Sequence, residues 1–343
     1  MLADTGPAII VAQFILCAGV IGVCGTRLST LADRLADRGG FGEALTGGVL
    51  LGAATSLSGS VLSVSAALNG DANLALSNAY GGIAVQTLFL AVADITYRRA
   101  NLEHAAASAQ NMLQGSLLIC LLALLLAASY SPEWTLFGIH PATPVLLGGY
   151  AYGIYLVGHV RQFPMWQPKR TGETRTDVPE EKNRRRSLVG LLLSFCVLGL
   201  ILGLSGWYMQ LIARSFVEVT GINATIVGAL FTSVATSLPE LVTTLAAVRR
   251  GALTLACSGI LGGNTFDTLF AAFSDTAYRG GSIYHAADPM LLFWIAISML
   301  MTSVLIMGMM VREKRGIANI GFESFLVIVF YCVGVGVLLA QRL

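Results

Sequence analysis

Charge is what this sequence lacks. Asp, Glu, Lys and Arg supply 12% of its 343 residues, half of the ~25% usual in soluble domains. Histidine is scarce too, with four in the chain. The six cysteines (Cys17, Cys24, Cys120, Cys196, Cys257, Cys332) show no CxxC pair and no Cys/His ligand spacing, which argues against a zinc site or a disulfide framework. All six lie in apolar stretches, where cysteine acts as a small packing residue. No basic n-region precedes the first apolar stretch, so that stretch is read as a retained helix rather than a signal peptide.

Long hydrophobic runs are what the sequence has instead. Apolar spans fall at about 7–27, 43–69, 72–96, 108–130, 143–163, 187–211, 223–248, 252–274, 288–311 and 319–341, each near or above the ~20 residues that cross a bilayer as a helix. The expectation is an all-α polytopic membrane protein with ten transmembrane helices. The loops after helices 1, 3, 5, 7 and 9 hold 18 of the 21 Lys and Arg residues, and the opposite side holds Arg214, Arg279 and Arg342. By the positive-inside rule this predicts a multi-pass protein of the cell (inner) membrane with both termini outside.

The chain also repeats itself. At a constant offset of 181 residues, positions 54–94 align without a gap on 235–275, and 17 of 41 residues are identical. Each half then carries five helices, and an odd number inverts the second copy in the membrane. Two inverted five-helix repeats are the plan of many secondary transporters, whose sites lie near the midplane where the copies meet. The predicted units are an N-terminal repeat over 1–163, a linker over 164–186 and a C-terminal repeat over 187–343. The linker carries Pro168, Pro179 and an Arg184-Arg185-Arg186 run. It reads as a flexible cytoplasmic connector that either touches anionic headgroups or only fixes topology.

Two carboxylates stand out because each sits near the middle of an apolar span, where an ionisable group is costly and marks function. Glu240 ends the run Ala235-Thr236-Ser237-Leu238-Pro239-Glu240, and Asp267 ends Gly262-Gly263-Asn264-Thr265-Phe266-Asp267. Pro239 inside a helix removes one hydrogen bond and frees carbonyls near 233–236, for which a bound cation is one partner. Thr236 and Ser237 add hydroxyls, making a set of hard oxygen ligands that suits Na⁺ or Ca²⁺. The plainer alternative is a proline kink with back-bonded Thr and Ser. Asn264 and Asp267, three apart, share a helical face. In the first repeat Thr55 and Ser56 are kept, Ser58-Gly59 replaces Pro-Glu, Gln86 takes the Asp position and Ile83 the Asn position. The matched Asp94 and Asp275 are read as interfacial, and Glu43 and Glu323 suit helix N-termini.

Thr-Ser-Leu-Pro-Glu and Gly-Gly-Asn-x-Phe-Asp in one half, with degenerate copies in the other, resemble the alpha-repeats of the cation/Ca²⁺ exchanger superfamily, typified by sodium/calcium exchangers. The resemblance covers essentially the whole chain, with the motifs in 52–94 and 233–275. It implies exchange of Ca²⁺ against Na⁺ or H⁺ by alternating access at a four-cornered central site, with no cofactor. The metal-binding residues it implies are Glu240, Asp267, Thr236, Ser237, Thr55, Ser56, Gln86 and Asn264. The expected partners are membrane lipid and small inorganic cations, with no nucleic acid. Gly59 stands where the family has its other Glu, and Gly82 and Gly263 stand where it has Ser. Three readings stay open: Ca²⁺ in a shifted site, monovalent or proton-coupled exchange in which Glu240 takes up H⁺, or an organic or larger cation in the space Gly59 leaves. Two rival classes are a channel or sensor on the same scaffold and an intramembrane serine protease. The protease reading rests on Gly203-Leu204-Ser205-Gly206 as a nucleophile motif, with His285 as base. An inverted repeat is unexplained by a protease, and the expectation is that the protein is no enzyme.

Overall fold

A computed structural model describes residues 6–39, 51–97, 101–162, 165–167, 169, 188–313 and 320–340. Most of the proposed linker, the start of the second span and Glu43 lie outside the described residues. The described chain is helical, in the order α1 (Pro7–Gly39), α2 (Leu51–Thr55), α3 (Leu57–Leu68), α4 (Ala72–Thr96), α5 (Leu102–Ala106), α6 (Ala109–Tyr130), α7 (Ala142–Gln162) and α8 (Leu188–Thr220). Then follow α9 (Ala224–Thr236, with a π-helical stretch over Val227–Thr232), α10 (Leu238–Arg250), α11 (Leu253–Asp267), α12 (Leu269–Ala277), α13 (Ile283–Ala286), α14 (Met290–Val311) and α15 (Phe322–Ala340).

Six of these helices are long and apolar enough to cross a bilayer, and α9 with α10, bent by 45° at their junction, makes up to seven. They form a multi-pass membrane protein. The apolar stretch of α4 is 78% buried and that of α8 only 11%, so α4 runs through the centre while α8 lies on the outside. Outward-facing Val189, Leu193, Leu200 and Leu204 suit a hydrocarbon surround, which needs no polar cover.

Element boundaries recur at the same 181-residue offset as the sequence. Pro7–Gly39 matches Leu188–Thr220, and Ala109–Tyr130 matches Met290–Val311. The α2–α3 and α9–α10 breaks also match, each at a serine, Ser56 (φ −85°, ψ 5°) and Ser237 (φ −93°, ψ 5°). The turns that follow use Gly70 (φ 82°) and Gly251 (φ 79°), left-handed positions that only glycine adopts without cost. Pro239 lies at the start of α10, not inside a continuous helix, and a missing N–H is harmless there. Two of the carbonyls before it are engaged. Thr232 O accepts the Thr236 hydroxyl at 2.9 Å, and Ser233 O accepts the Ser237 N–H at 3.1 Å.

Contacts between the halves are reciprocal at that offset. A Cβ at Gly25 would run into the Pro239 ring, and one at Gly206 into the Ser58 carbonyl. In both cases an outer helix closes over the break of the other half. His104 Nδ1 meets Arg312 O at 2.6 Å, and His285 Nε2 meets Ser131 O at 2.6 Å. Asp94 Oδ2 accepts Gly321 N–H at 3.2 Å, and Asp275 Oδ2 accepts His140 N–H at 2.8 Å. The matched aspartates, read from sequence as interfacial, are fully buried and tie the two halves together.

Because the Gly206 contact is with backbone, Gly206→Val has nowhere to put its side chain. Overpacking of this kind costs about 1–3 kcal/mol, and the expected result is a lower melting temperature in detergent, followed by tryptophan fluorescence.

Candidate cation site

Four broken or central elements meet at the middle of the molecule: the α2–α3 break, α4, the α9–α10 break and the end of α11. Glu240 lies in the first turn of α10, where the helix dipole favours a negative charge. Asp267 is the last residue of α11. Both are buried, as is Gln86 on α4.

Ser56 links them. Its hydroxyl lies 3.4 Å from Glu240 Oε1 and is also within hydrogen-bond reach of Asp267. One hydroxyl has one proton, so it serves one carboxylate at a time. The Thr55 hydroxyl also reaches Glu240. Gln86 Nε2 donates to Asp267 Oδ2 at 2.7 Å and to Ser237 Oγ at 3.2 Å. This leaves Glu240 Oε2, Asp267 Oδ1 and Gln86 Oε1 buried with no hydrogen-bond partner. An orphaned buried acceptor costs about 1–3 kcal/mol, and three oxygen acceptors with no donor are what a hard cation satisfies. The residues present therefore fit a cation held by oxygen.

Glycines make the room. A Cβ at Gly82 would lie 3.5 Å from Asp267 Oδ2, and one at Gly263 would lie 3.1 Å from Gln86 Oε1. Gly262 faces Gln114 on α6 instead.

Thr236 and Asn264 sit beside this cluster, on contacts of their own. The Thr236 hydroxyl lies 2.9 Å from Thr232 O, 3.3 Å from Ser233 O and 3.5 Å from Asn78 Oδ1. Asn264 Nδ2 donates to Thr87 Oγ1 at 2.9 Å, with its Oδ1 unpartnered. The space expected at Gly59 for a larger organic cation is filled, because a Cβ there would lie 2.9 Å from Cε2 of Phe270. Ser205 donates to Ile201 O at 2.8 Å, and His285 bonds Ser131 O and Ser282 Oγ. The pair proposed for a protease is therefore not assembled.

Sequence reasoning missed Asn78 and Phe270. Asn78 precedes Gly82 and Gln86 at four-residue steps and so lies on the same face of α4, a signal that was available. Phe270 carried none, since a phenylalanine in an apolar span reads as ordinary core.

Comparison with known proteins bears on the family and the fold. The family model described as sodium/calcium exchanger protein matches residues 9–161 and 188–340. Sodium/calcium exchanger MaX1 of Methanosarcina acetivorans is 30% identical over 122 residues, 34% of each chain. The match thus spans about a third of that relative's length. Among solved structures, native YfkE gives a TM-score of 0.63 at 12% identity, covering 94% of this chain and 90% of that one. The H⁺/Ca²⁺ exchanger CAX gives 0.61 at 13%, covering 99% and 89%. The sodium-calcium exchanger NCX_Mj gives 0.60 at 18%, covering 96% and 99%. At these identities the structural likeness speaks to the fold.

Proposed function

Since the chain belongs to the sodium/calcium exchanger protein family, we propose that it is a secondary antiporter carrying Ca²⁺ against Na⁺ or H⁺ by alternating access. It is a transporter-family protein and not an enzyme. The observation that carries the reading is the cluster of orphaned oxygens on Glu240, Asp267 and Gln86. Glu240 and Asp267 supply charge, Gln86 a neutral oxygen, and Ser56, Ser237 and Thr55 hydroxyls. Thr236, whose hydroxyl lies toward its own helix and Asn78, is outside this proposed ligand set, and Asn264 flanks it with Oδ1 unpartnered. Two carboxylates balance one divalent cation, or two protons or monovalent ions, which is the charge arithmetic of an exchange. When the cation leaves, the carboxylates need a replacement charge, because two buried anions side by side are costly.

Ten crossings in two inverted halves, 1–163 and 187–343, accommodate this function. The reading is supported by the recurrence of helices and the reciprocal contacts at a 181-residue offset. Two pseudo-equivalent halves can exchange conformations and open the central site to either side. The 18 to 3 split of basic residues supports termini on the outer side. The test is counterflow in proteoliposomes, with Ca²⁺, Na⁺, K⁺ and H⁺ gradients imposed in turn. Internal Ca²⁺ is expected to accelerate ⁴⁵Ca²⁺ uptake several-fold. Uptake indifferent to internal cation would mean a channel and would reject the antiporter reading.

A further inference from the structure

The central site is asymmetric, and the asymmetry has a structural cause. Gly59 and Glu240 are matched positions, 181 residues apart. Around Gly59 the corner is closed from two sides. Asn78 Nδ2 donates to the Gly59 carbonyl at 3.3 Å and to Ser63 Oγ at 3.0 Å, while its Oδ1 accepts the Thr232 hydroxyl at 2.9 Å. Both donors and the acceptor of this buried amide are thereby used, and the Gly59 carbonyl is taken. On the other side the Phe270 ring stands where a side chain at position 59 would begin. Phe270 is itself held edge-on against Phe266, with ring centroids 6.3 Å apart. The residue matched to Asn78 in the other half is Gly259, whose missing Cβ would meet nothing within 4 Å. Asn78 is therefore without a counterpart in the other half, whereas Phe270 is matched by Phe89.

Resting on the antiporter reading above, we propose that Asn78 and Phe270 are specificity-determining residues that close the Gly59 corner. One cation locus is left, bounded by Glu240, Asp267 and Gln86. The Gly59 carbonyl and the Thr236 hydroxyl, turned to Asn78 and its own helix, take no part in ligation. A site with one open locus binds one Ca²⁺ at a time and draws no carboxylate from the first repeat.

The test is equilibrium binding of ⁴⁵Ca²⁺ to the purified full chain in detergent. Wild type is expected to bind one Ca²⁺, and Thr236→Val to bind within twofold of it. Gly59→Glu alone is expected to bind no more tightly than wild type, because Phe270 occupies its path. Gly59→Glu combined with Phe270→Ala is expected to bind at least tenfold more tightly. Should Gly59→Glu fail to fold, the double variant still decides the matter. The proposal is overturned if the double variant gains nothing, if Gly59→Glu alone tightens binding, or if Thr236→Val weakens it tenfold at unchanged melting temperature. Wild type that binds no Ca²⁺, or Glu240→Gln that binds like wild type, would instead overturn the site assignment beneath it, and this proposal with it.

Discussion

Glu240→Gln is expected to lower cation exchange in proteoliposomes by about two to three orders of magnitude, at a melting temperature equal to or above that of wild type. The carboxylate lies buried at the start of α10 with Oε2 unpartnered and Oε1 sharing the Ser56 hydroxyl. Taking away one member of a buried ion pair costs about 3–5 kcal/mol, and each ~1.4 kcal/mol is tenfold in binding. The free protein gains by the same substitution, since an uncompensated buried charge is removed. Binding and stability therefore move in opposite directions, which loss of fold would not produce. Asp267→Asn is expected to act in the same sense but more weakly, because its remaining oxygen still accepts from Gln86. Exchange at wild-type rates in both variants would remove Glu240 and Asp267 from the ligand set.

The second large effect concerns stability. Asp275 accepts the His140 N–H at 2.8 Å, the Thr143 hydroxyl at 2.6 Å and the Ile283 N–H at 3.3 Å. Asp275→Ala leaves two buried backbone donors and one hydroxyl without that acceptor, at about 1–3 kcal/mol each. It also cuts the link between the α12 end of one half and the start of α7 in the other. A fall in melting temperature of several degrees is expected by fluorescence-detected gel filtration, with Ca²⁺ affinity in the surviving folded fraction unchanged. Asp94→Ala removes the matched link, in which Asp94 accepts Leu102 N–H at 2.7 Å and Gly321 N–H at 3.2 Å, and is expected to behave alike. A wild-type melting profile in both would mean that these aspartates do not hold the halves together.

Much of the molecule was legible in its residues, for reasons that can be named. Apolar runs near the bilayer length select helices, because a backbone in hydrocarbon must satisfy its own hydrogen bonds. The ungapped repeat required the two halves to fold alike, and the structure repeats even the φ and ψ of Ser56 and Ser237. Glu240 and Asp267 were conspicuous because charge is expensive in such surroundings. The ligand geometry was less legible. Thr236 and Asn264 share helical faces or neighbourhoods with the carboxylates, but beyond the local back-bond of Thr236 to Thr232 their direction depends on partners far away in sequence, here Asn78 and Thr87.

What the sequence by itself determined is the all-helical membrane class, the duplication and the two mid-span carboxylates, since each follows from local composition and spacing. Only the tertiary structure decided that Pro239 starts a helix beneath Gly25, that Gln86 pairs with Asp267, and that the gap at Gly59 is filled by Phe270. Those outcomes turn on which side chains meet across the two halves. Residues nearly two hundred positions apart come within 3 Å there, and no periodicity along the chain records that encounter.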